Sequence, residues 1–124
     1  MAFAFELDRR WSGSARSALC AHPGYAVDPL TAERPGLVEV PALVRGLAAL
    51  SRPFVQGKDD GAAPLIHAAT APDARSGDYW GPGGMLEFRG APARVRASDE
   101  VRSPATGAAL WDAAERLTGV RFPL

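Results

Sequence analysis

Apolar side chains recur every four residues at the start of the chain, at Phe3, Leu7 and Trp11. This spacing places them on one face of an α-helix, so it predicts an amphipathic helix over residues 2–11. The Ser-Gly-Ser sequence at 12–14 is typical of a turn and ends the helix.

The next segment, residues 16–21, is short and apolar and has no helical spacing, which predicts a buried β-strand. His22, Pro23 and Gly24 then end the strand, because proline cannot donate a hydrogen bond to a sheet ladder. A helix, a turn, a buried strand and a loop in succession are typical of an α/β sheet.

Two further helices are predicted in the middle of the chain. The first begins near Pro41, which suits a first helical turn, and ends at the Ser-Arg-Pro sequence at 51–53. Its apolar side chains stand at helical spacing: Val40, Leu43, Val44, Leu47 and Leu50. The second covers about residues 61–70, with Asp59 and Asp60 as N-cap candidates.

The last third of the chain contains the clearest helix signals. A short strand at 78–80 is followed by a glycine-rich turn at 81–84, and residues 85–98 are predicted to be loop. In the closing helix Ser103 is the expected N-cap and Gly119 the expected C-terminal stop. One face of this helix is apolar: Leu110, Trp111, Ala114 and Leu117.

Composition narrows the class of protein. The 124 residues suit one domain, are 47% apolar and 23% charged, and carry a formal net charge of zero. This balance argues against disorder and against nucleic acid as a partner. Cys20 is the single cysteine, which excludes an internal disulfide and favours a reducing compartment. Since no signal peptide and no apolar run of about 20 residues is seen, we expect a cytoplasmic protein without a membrane span.

The titratable residues suggest little chemistry by themselves. His22 and His67 could each be a base or a metal ligand, but neither has a Cys, Asp or Glu at ligand spacing, which favours structural histidines. Cys20 is expected to be a core residue. Asp59 and Asp60 are better explained by helix capping than by metal binding. We therefore predict no catalytic residue and no metal site in this chain.

Five stretches, in order along nearly the whole chain, resemble short-chain dehydrogenases/reductases, and most of all the subgroup similar to retinol dehydrogenases and protochlorophyllide reductases. Residues 3–10 resemble the helix that follows the catalytic Tyr-x-x-x-Lys motif, and 21–26 resemble the His-Pro-Gly segment at the end of the sixth strand. Residues 68–73 and 77–82 resemble a later helix and a Tyr-Tyr-Gly-Pro-like strand, and 110–120 resemble the closing helix.

The resemblance implies a cofactor and a set of contacts. In the family this loop passes the nicotinamide end of NAD or NADP, so Pro23, Gly24 and the backbone of Tyr25 would contact the nicotinamide ring. The family usually has a threonine that contacts the carboxamide or the phosphates where this chain has Asp28, whose carboxylate would repel a pyrophosphate. Residues 25–53 would cover a carbonyl or alcohol substrate.

The family's catalytic half is missing from this sequence. There is no glycine-rich dinucleotide motif and no Tyr-x-x-x-Lys, and the resemblance places the family's lysine about one helical turn before Met1. We therefore expect an α/β chain, residues 1–124 being a single partial domain. It would be the C-terminal part of a Rossmann-like three-layer fold, with about two strands and four helices, that lacks the N-terminal nucleotide-binding half.

Two functions remain open at this point. The chain could represent an NAD(P)-dependent oxidoreductase that is truncated and inactive alone. Alternatively, it could be a non-catalytic α/β remnant that acts as a binding or interaction module. In both cases we expect unpartnered strand edges and exposed apolar helix faces, and therefore marginal stability or self-association.

Overall fold

A computed structural model describes residues 1–123 and shows a mixed α/β protein. The α-helices are α1 Ala2–Arg10, α2 Ala42–Ala49, α3 Lys58–Thr70, α4 Asp99–Arg102 and α5 Pro104–Thr118. The strands are β1 Cys20–Ala21, β2 Ala26–Val27, β3 Gln56–Gly57, β4 Tyr79–Pro82 and β5 Pro92–Arg94. Short 3₁₀ turns lie at Asp28–Leu30 and Met85–Glu87.

The strands form two small sheets that share one helix. In the larger sheet β4 is central, parallel to β1 and antiparallel to β5, and in the smaller sheet β2 is parallel to β3. Parallel neighbours need a crossover connection, and α3 lies in the connection between β1 and β4. This helix packs against strands of both sheets and joins them into one unit.

Trp111 of α5 is the centre of a second packing unit, built from α1, α4 and α5. Its ring is 2% exposed and stacks on Phe3 of α1, with ring centroids 4.7 Å apart. The two helices approach closely at Gly107, where a Cβ would collide with Arg9 and Glu6. The absence of a side chain at that position therefore allows α1 and α5 to pack.

The molecule exposes more surface than its length requires. Its accessible surface is 8010 Å², whereas a compact monomer of this size exposes about 6,400 Å². The buried apolar core is correspondingly small: Phe5, Ala18, Val55, Trp80, Ala97 and Trp111. The protein therefore presents apolar surface that an isolated domain normally buries.

The closing helix follows its sequence signals, and so does the first helix. Ser103 caps α5 by accepting a hydrogen bond from the N–H of Thr106, and Gly119 ends the helix in the left-handed conformation with φ +69°. Helix α1 ends one residue before the predicted boundary, and its apolar stripe reaches Trp111 through Phe3. These predictions are confirmed because capping and amphipathic spacing are local signals.

Several other predictions were wrong. Residues 1–123 contain five strands and five α-helices rather than about two and four. The strand expected at 16–21 is only Cys20–Ala21, and Cys20 is half-buried at a sheet edge rather than in the core. Asp59 and Asp60 do not cap α3, because the helix begins at Lys58 and they lie inside its first turn, where carboxylates favour the helix dipole.

The segment after β4 was also predicted incorrectly. The expected turn at 81–84 begins later, since Gly81 and Pro82 belong to β4. The expected loop at 85–98 contains β5 and a 3₁₀ turn. Across residues 1–123, no helix has the length and apolar character needed to cross a bilayer.

Candidate functional site

The turn His22–Pro23–Gly24–Tyr25 leaves the carboxyl end of β1, and we call it the Pro-Gly turn. The N–H of His22 still donates to the carbonyl of Trp80 in β4, at 2.9 Å, so the turn begins directly where the sheet ends. In open α/β sheets ligands bind beyond the carboxyl ends of the strands. The position of this turn makes it the candidate site.

Gly24 is the residue that lets the turn close. Its φ is +66°, in the left-handed region that favours glycine. A Cβ there would lie 2.5 Å from the carbonyl oxygen of Phe88 and 2.8 Å from that of Glu87. The glycine is therefore required by contact with residues 84–90, which we call the strap.

The strap holds the turn through backbone and side-chain hydrogen bonds. The N–H of Tyr25 donates to the carbonyl of Phe88 at 2.8 Å. Gln56, which is 4% exposed, donates from Nε2 to the carbonyl of Pro23 at 2.9 Å and accepts at Oε1 from the N–H of Gly90 at 3.1 Å. One buried amide thus joins the turn to the strap.

His22 makes the remaining contact between the turn and the strap. Its Nδ1 accepts from the N–H of Gly24 at 3.3 Å, which assigns the hydrogen of the neutral ring to Nε2. Nε2 lies 3.2 Å from a carboxylate oxygen of Glu87. Leu86 and Glu87 have positive φ values of 54° and 58°, an uncommon conformation for residues with a side chain, and such strain collects at functional sites.

Two further groups near the turn, the Tyr79 hydroxyl and the Cys20 thiol, have raised pKa values. Burial raises the pKa of Tyr79, whose ring lies against His22, and the charge of Glu87 adds to that effect. Burial likewise raises the pKa of the Cys20 thiol. Both groups therefore stay protonated at neutral pH, and Cys20 lacks the thiolate character of a nucleophile.

Asp28 lies at the start of the 3₁₀ turn that follows β2, and its carboxylate is paired with Lys58, 2.5 Å from Nζ. Lys58 is the only lysine in the sequence. Because the pair is exposed, it adds little stability, but it offsets the negative charge that was expected to repel a pyrophosphate. The repulsion predicted from Asp28 is therefore weakened by a neighbour that sequence spacing did not indicate.

Of the four predicted site residues, Pro23, Gly24 and Tyr25 form the turn and Asp28 lies just beyond β2. The side chain of Tyr25 is exposed, and its backbone carbonyl accepts from the N–H of Gln56 at 3.0 Å. Both backbone groups of Tyr25 are therefore used within the chain. The ring of Pro23 and the Tyr25 side chain remain on the surface as apolar contacts.

Two residues that matter for the site were not predicted. Gln56 carries no sequence signal beyond its place after an apolar residue. Thr31, which is 1% exposed, donates its hydroxyl to the carbonyl of Val27 and accepts from the N–H of Lys58. No sequence signal marks Thr31, because threonine is usually exposed and only the structure shows that this one is buried.

His67, which was predicted to be a core or boundary residue, lies at the α3–β4 contact. Its ring centroid is 4.2 Å from that of Trp80, and Nε2 is 3.3 Å from a carboxylate oxygen of Asp73. Among residues 1–123 no group of three or more His, Cys, Asp or Glu side chains could hold a metal ion.

Comparisons with known proteins give a structural likeness to a longer protein. No protein-family model matches the chain, and no curated protein matches it. It is similar to the crystal structure of an uncharacterized protein from Mycobacterium Paratuberculosis, with 28% sequence identity and a TM-score of 0.64. The match covers 99% of this chain and 37% of the other, so this chain spans little more than a third of the length of that protein.

Proposed function

We propose that this chain is the C-terminal part of an NAD(P)-dependent oxidoreductase of the short-chain dehydrogenase/reductase type, acting on a carbonyl or alcohol substrate. The observation that carries the proposal is the Pro-Gly turn at the carboxyl end of β1, next to the parallel strand β4. This is the edge of an α/β sheet at which dinucleotides bind.

The order of elements supports a Rossmann-like origin. A helix, α1, precedes β1, and the chain then returns through α2 and α3 to the parallel strand β4 before it closes with α5. A strand, a crossover helix and a parallel strand form the repeating unit of Rossmann-like folds. The resemblance in sequence follows the same order.

The large accessible surface supports the view that this chain belongs to a larger body. The excess over a compact monomer is about 1,600 Å², roughly twice the area that one partner buries in a standard protein–protein interface. The similar structure is likewise matched over 37% of its chain, so an equivalent of this fold exists within a much longer protein.

The turn fits one part of an NAD(P) molecule and not the rest. Pro23 and Tyr25 expose apolar surface that suits the flat nicotinamide ring, which in the bound cofactor would give or accept a hydride. The backbone groups of Tyr25 are already hydrogen-bonded, and the sequence contains no glycine-rich phosphate loop. In this proposal the chain positions the ring, whereas the phosphates and the catalytic tyrosine belong to the missing half.

The reading frame upstream of Met1 tests the proposal most directly. We expect an in-frame Tyr-x-x-x-Lys whose lysine lies about one helical turn before Met1. The extended protein should reduce a carbonyl substrate with NADPH, while residues 1–124 alone should show no saturable change in tryptophan fluorescence up to millimolar NADPH. An upstream frame without the motif, together with an extended protein that binds no dinucleotide, would refute the proposal.

A matched pair of glycine variants tests the role of the turn in the extended protein. Gly24→Ala and Gly36→Ala place a methyl group at similar positive φ values, +66° and +75°, but only the first meets neighbouring atoms. We expect Gly24→Ala to lower NADPH affinity at least tenfold and Gly36→Ala to leave it unchanged. Equal effects of the two substitutions would show that the turn does not contact the cofactor.

The second function, a non-catalytic interaction module, is favoured by a different observation, the solvent-exposed apolar face of α2. If the upstream frame lacks the catalytic motif, an interaction role becomes the better explanation of this chain.

A further inference from the structure

A small cavity next to the strap is lined by two arginine side chains. It has a volume of about 240 Å³. One part of its lining is buried and belongs to β3 and the residue before it: Val55, Gln56 and Gly57. The exposed part comes from three different segments: Arg52 in the turn after α2, Asp60 in the first turn of α3 and Arg89 in the strap. Charged groups of both signs therefore meet at this cavity.

Close contacts hold the walls of the cavity in place. The guanidinium group of Arg89 donates to the carbonyl of Arg52, so the strap is fixed to the turn after α2. A Cβ at Gly57 would lie 2.5 Å from the carbonyl oxygen of Leu30, which shows how closely another segment packs against β3. The cavity is therefore formed by contacts within the chain and does not need a ligand to shape it.

The two arginines differ from the cations around them in having no carboxylate partner. The other cations of residues 28–60 are each paired: Arg34 with Asp59, Arg45 with Glu33 and Lys58 with Asp28. Among the ion pairs that residues 1–123 form, none includes Arg52 or Arg89. Two guanidinium groups that line one cavity without a carboxylate partner are suited to attract an anion.

We propose that this cavity binds the carboxylate group of a small organic acid. The planar guanidinium group of arginine presents N–H donors in a fork that matches a carboxylate. Asp60 decides between this ligand and a phosphate. Two guanidinium groups and one carboxylate leave the lining with one net positive charge, which balances a carboxylate. A phosphate monoester carries about −1.5 to −2 at pH 7, and Asp60 would repel it more strongly.

Gln56 places the cavity beside the Pro-Gly turn, because its side chain donates to the carbonyl of Pro23. Its other polar atom accepts from the N–H of Gly90. The amide is thus occupied, and the arginines are the donors for the acid. The inference rests on this cavity and its charges and not on the proposed oxidoreductase function. Where both hold, the carboxylate belongs to the carbonyl or alcohol substrate.

Titration of the ¹⁵N-labelled 124-residue chain with propionate at constant ionic strength tests the proposal by NMR. We expect saturable shifts of the amide signals of Gly57 and Arg89, which line the cavity. Propionamide has nearly the same shape without the charge, so it should leave these signals in place. Equal shifts with the two compounds, or no saturable shift with propionate, would overturn the proposal. Tighter binding of inorganic phosphate than of propionate would overturn the assignment to a carboxylate.

Three variants show whether the side chains that line the cavity bind the acid. Arg52→Gln should weaken propionate binding at least tenfold, and it keeps the backbone carbonyl that Arg89 contacts. Arg75→Gln is the matched control, since it removes the same charge from an exposed arginine that does not line the cavity. Asp60→Asn should strengthen propionate binding at least threefold, because it removes the one repelling charge.

Equal effects of the two arginine substitutions, or no gain in affinity with Asp60→Asn, would refute the site. Circular dichroism of each variant shows that a loss of binding is not a loss of fold. The titrations contain no dinucleotide, so a failure of the proposed oxidoreductase function would leave their expected results unchanged.

Discussion

Replacement of Gln56 by leucine should loosen the Pro-Gly turn and destabilise the protein. Leucine has a similar volume but no polar atoms, so the carbonyl of Pro23 and the N–H of Gly90 would lose their side-chain partner. The backbone bond from the N–H of Gln56 to Tyr25 is unaffected by the substitution. The variant therefore isolates the side-chain link between the turn and the strap.

The cost can be estimated from these two hydrogen bonds. A buried group left without a partner costs about 1–3 kcal/mol. Pro23 and Gly90 themselves lie at the surface, so water can partly replace the lost partner and the lower end of that range applies to each. We expect the free energy of unfolding to fall by about 2 kcal/mol, and Tm to fall by about 8 °C.

Urea unfolding followed by tryptophan fluorescence measures this change. Thr70→Val is the control, because the Thr70 hydroxyl donates to the carbonyl of Ile66 at an exposed site, and its loss should cost less than about 0.5 kcal/mol. If Gln56→Leu changes the unfolding free energy no more than the control does, the buried amide does not hold the turn to the strap and the reasoning is wrong.

Three other perturbations follow from the second packing unit. Trp111→Ala should lower the free energy of unfolding, measured in urea, by about 3–5 kcal/mol. Leu110→Ala should lower it far less, because Leu110 is half-exposed. Similar losses for the two variants would show that α5 does not pack through Trp111. Burial acts to raise the pKa of Glu6, but hydrogen bonds and charge from Arg10 and Arg9 outweigh it and hold this pKa below its ordinary value. The stability that Glu6 contributes is thus present above the unfolded pKa of about 4.3 and is lost as pH falls through the lower folded pKa. Glu6→Gln should flatten the acid limb of a stability–pH profile, and an unchanged limb would contradict this. Ser103→Ala should lower Tm through loss of a cap worth about 1 kcal/mol, and Ser103→Asp should restore it.

Local signals in the sequence predicted the ends of the chain well. The four-residue spacing of Phe3 and Leu7 and the Ser103 and Gly119 caps depend on neighbours within one or two turns, so the sequence alone contains them. The strand at β1 was overestimated because only Cys20 and Ala21 join the ladder with β4. Before them, the carbonyl of Ala18 accepts from the N–H of Gly77 at 2.9 Å, but this contact does not extend the strand. An apolar run is necessary for a buried strand, but a ladder also requires a neighbour.

The candidate site was predicted in part. The position of Pro23 and Gly24 at a strand end follows from local rules, but the partners that fix them come from residues far along the chain. Gln56 reaches the turn, and Lys58 reaches Asp28, through the connection from β2 to β3 that contains α2. Glu87 reaches the turn from the strap. Such long-range pairs leave no periodic signal in a single sequence.

The Pro-Gly turn and helix α2 differ in how far their surfaces are satisfied within the chain. At the turn, hydrogen-bonding groups such as the N–H of Tyr25 are satisfied within the chain, so the site is preformed and offers mainly shape and apolar contact. At α2, apolar side chains that could have been buried face solvent. His22, whose Nε2 lies 3.2 Å from a carboxylate oxygen of Glu87, gives the turn a titratable side chain, and exposed apolar patches of this kind typically mark interaction surfaces. Under the proposed function, the acid–base chemistry at the turn would come from residues outside this sequence, and the exposed leucines of α2 are the apolar surface that a partner would cover.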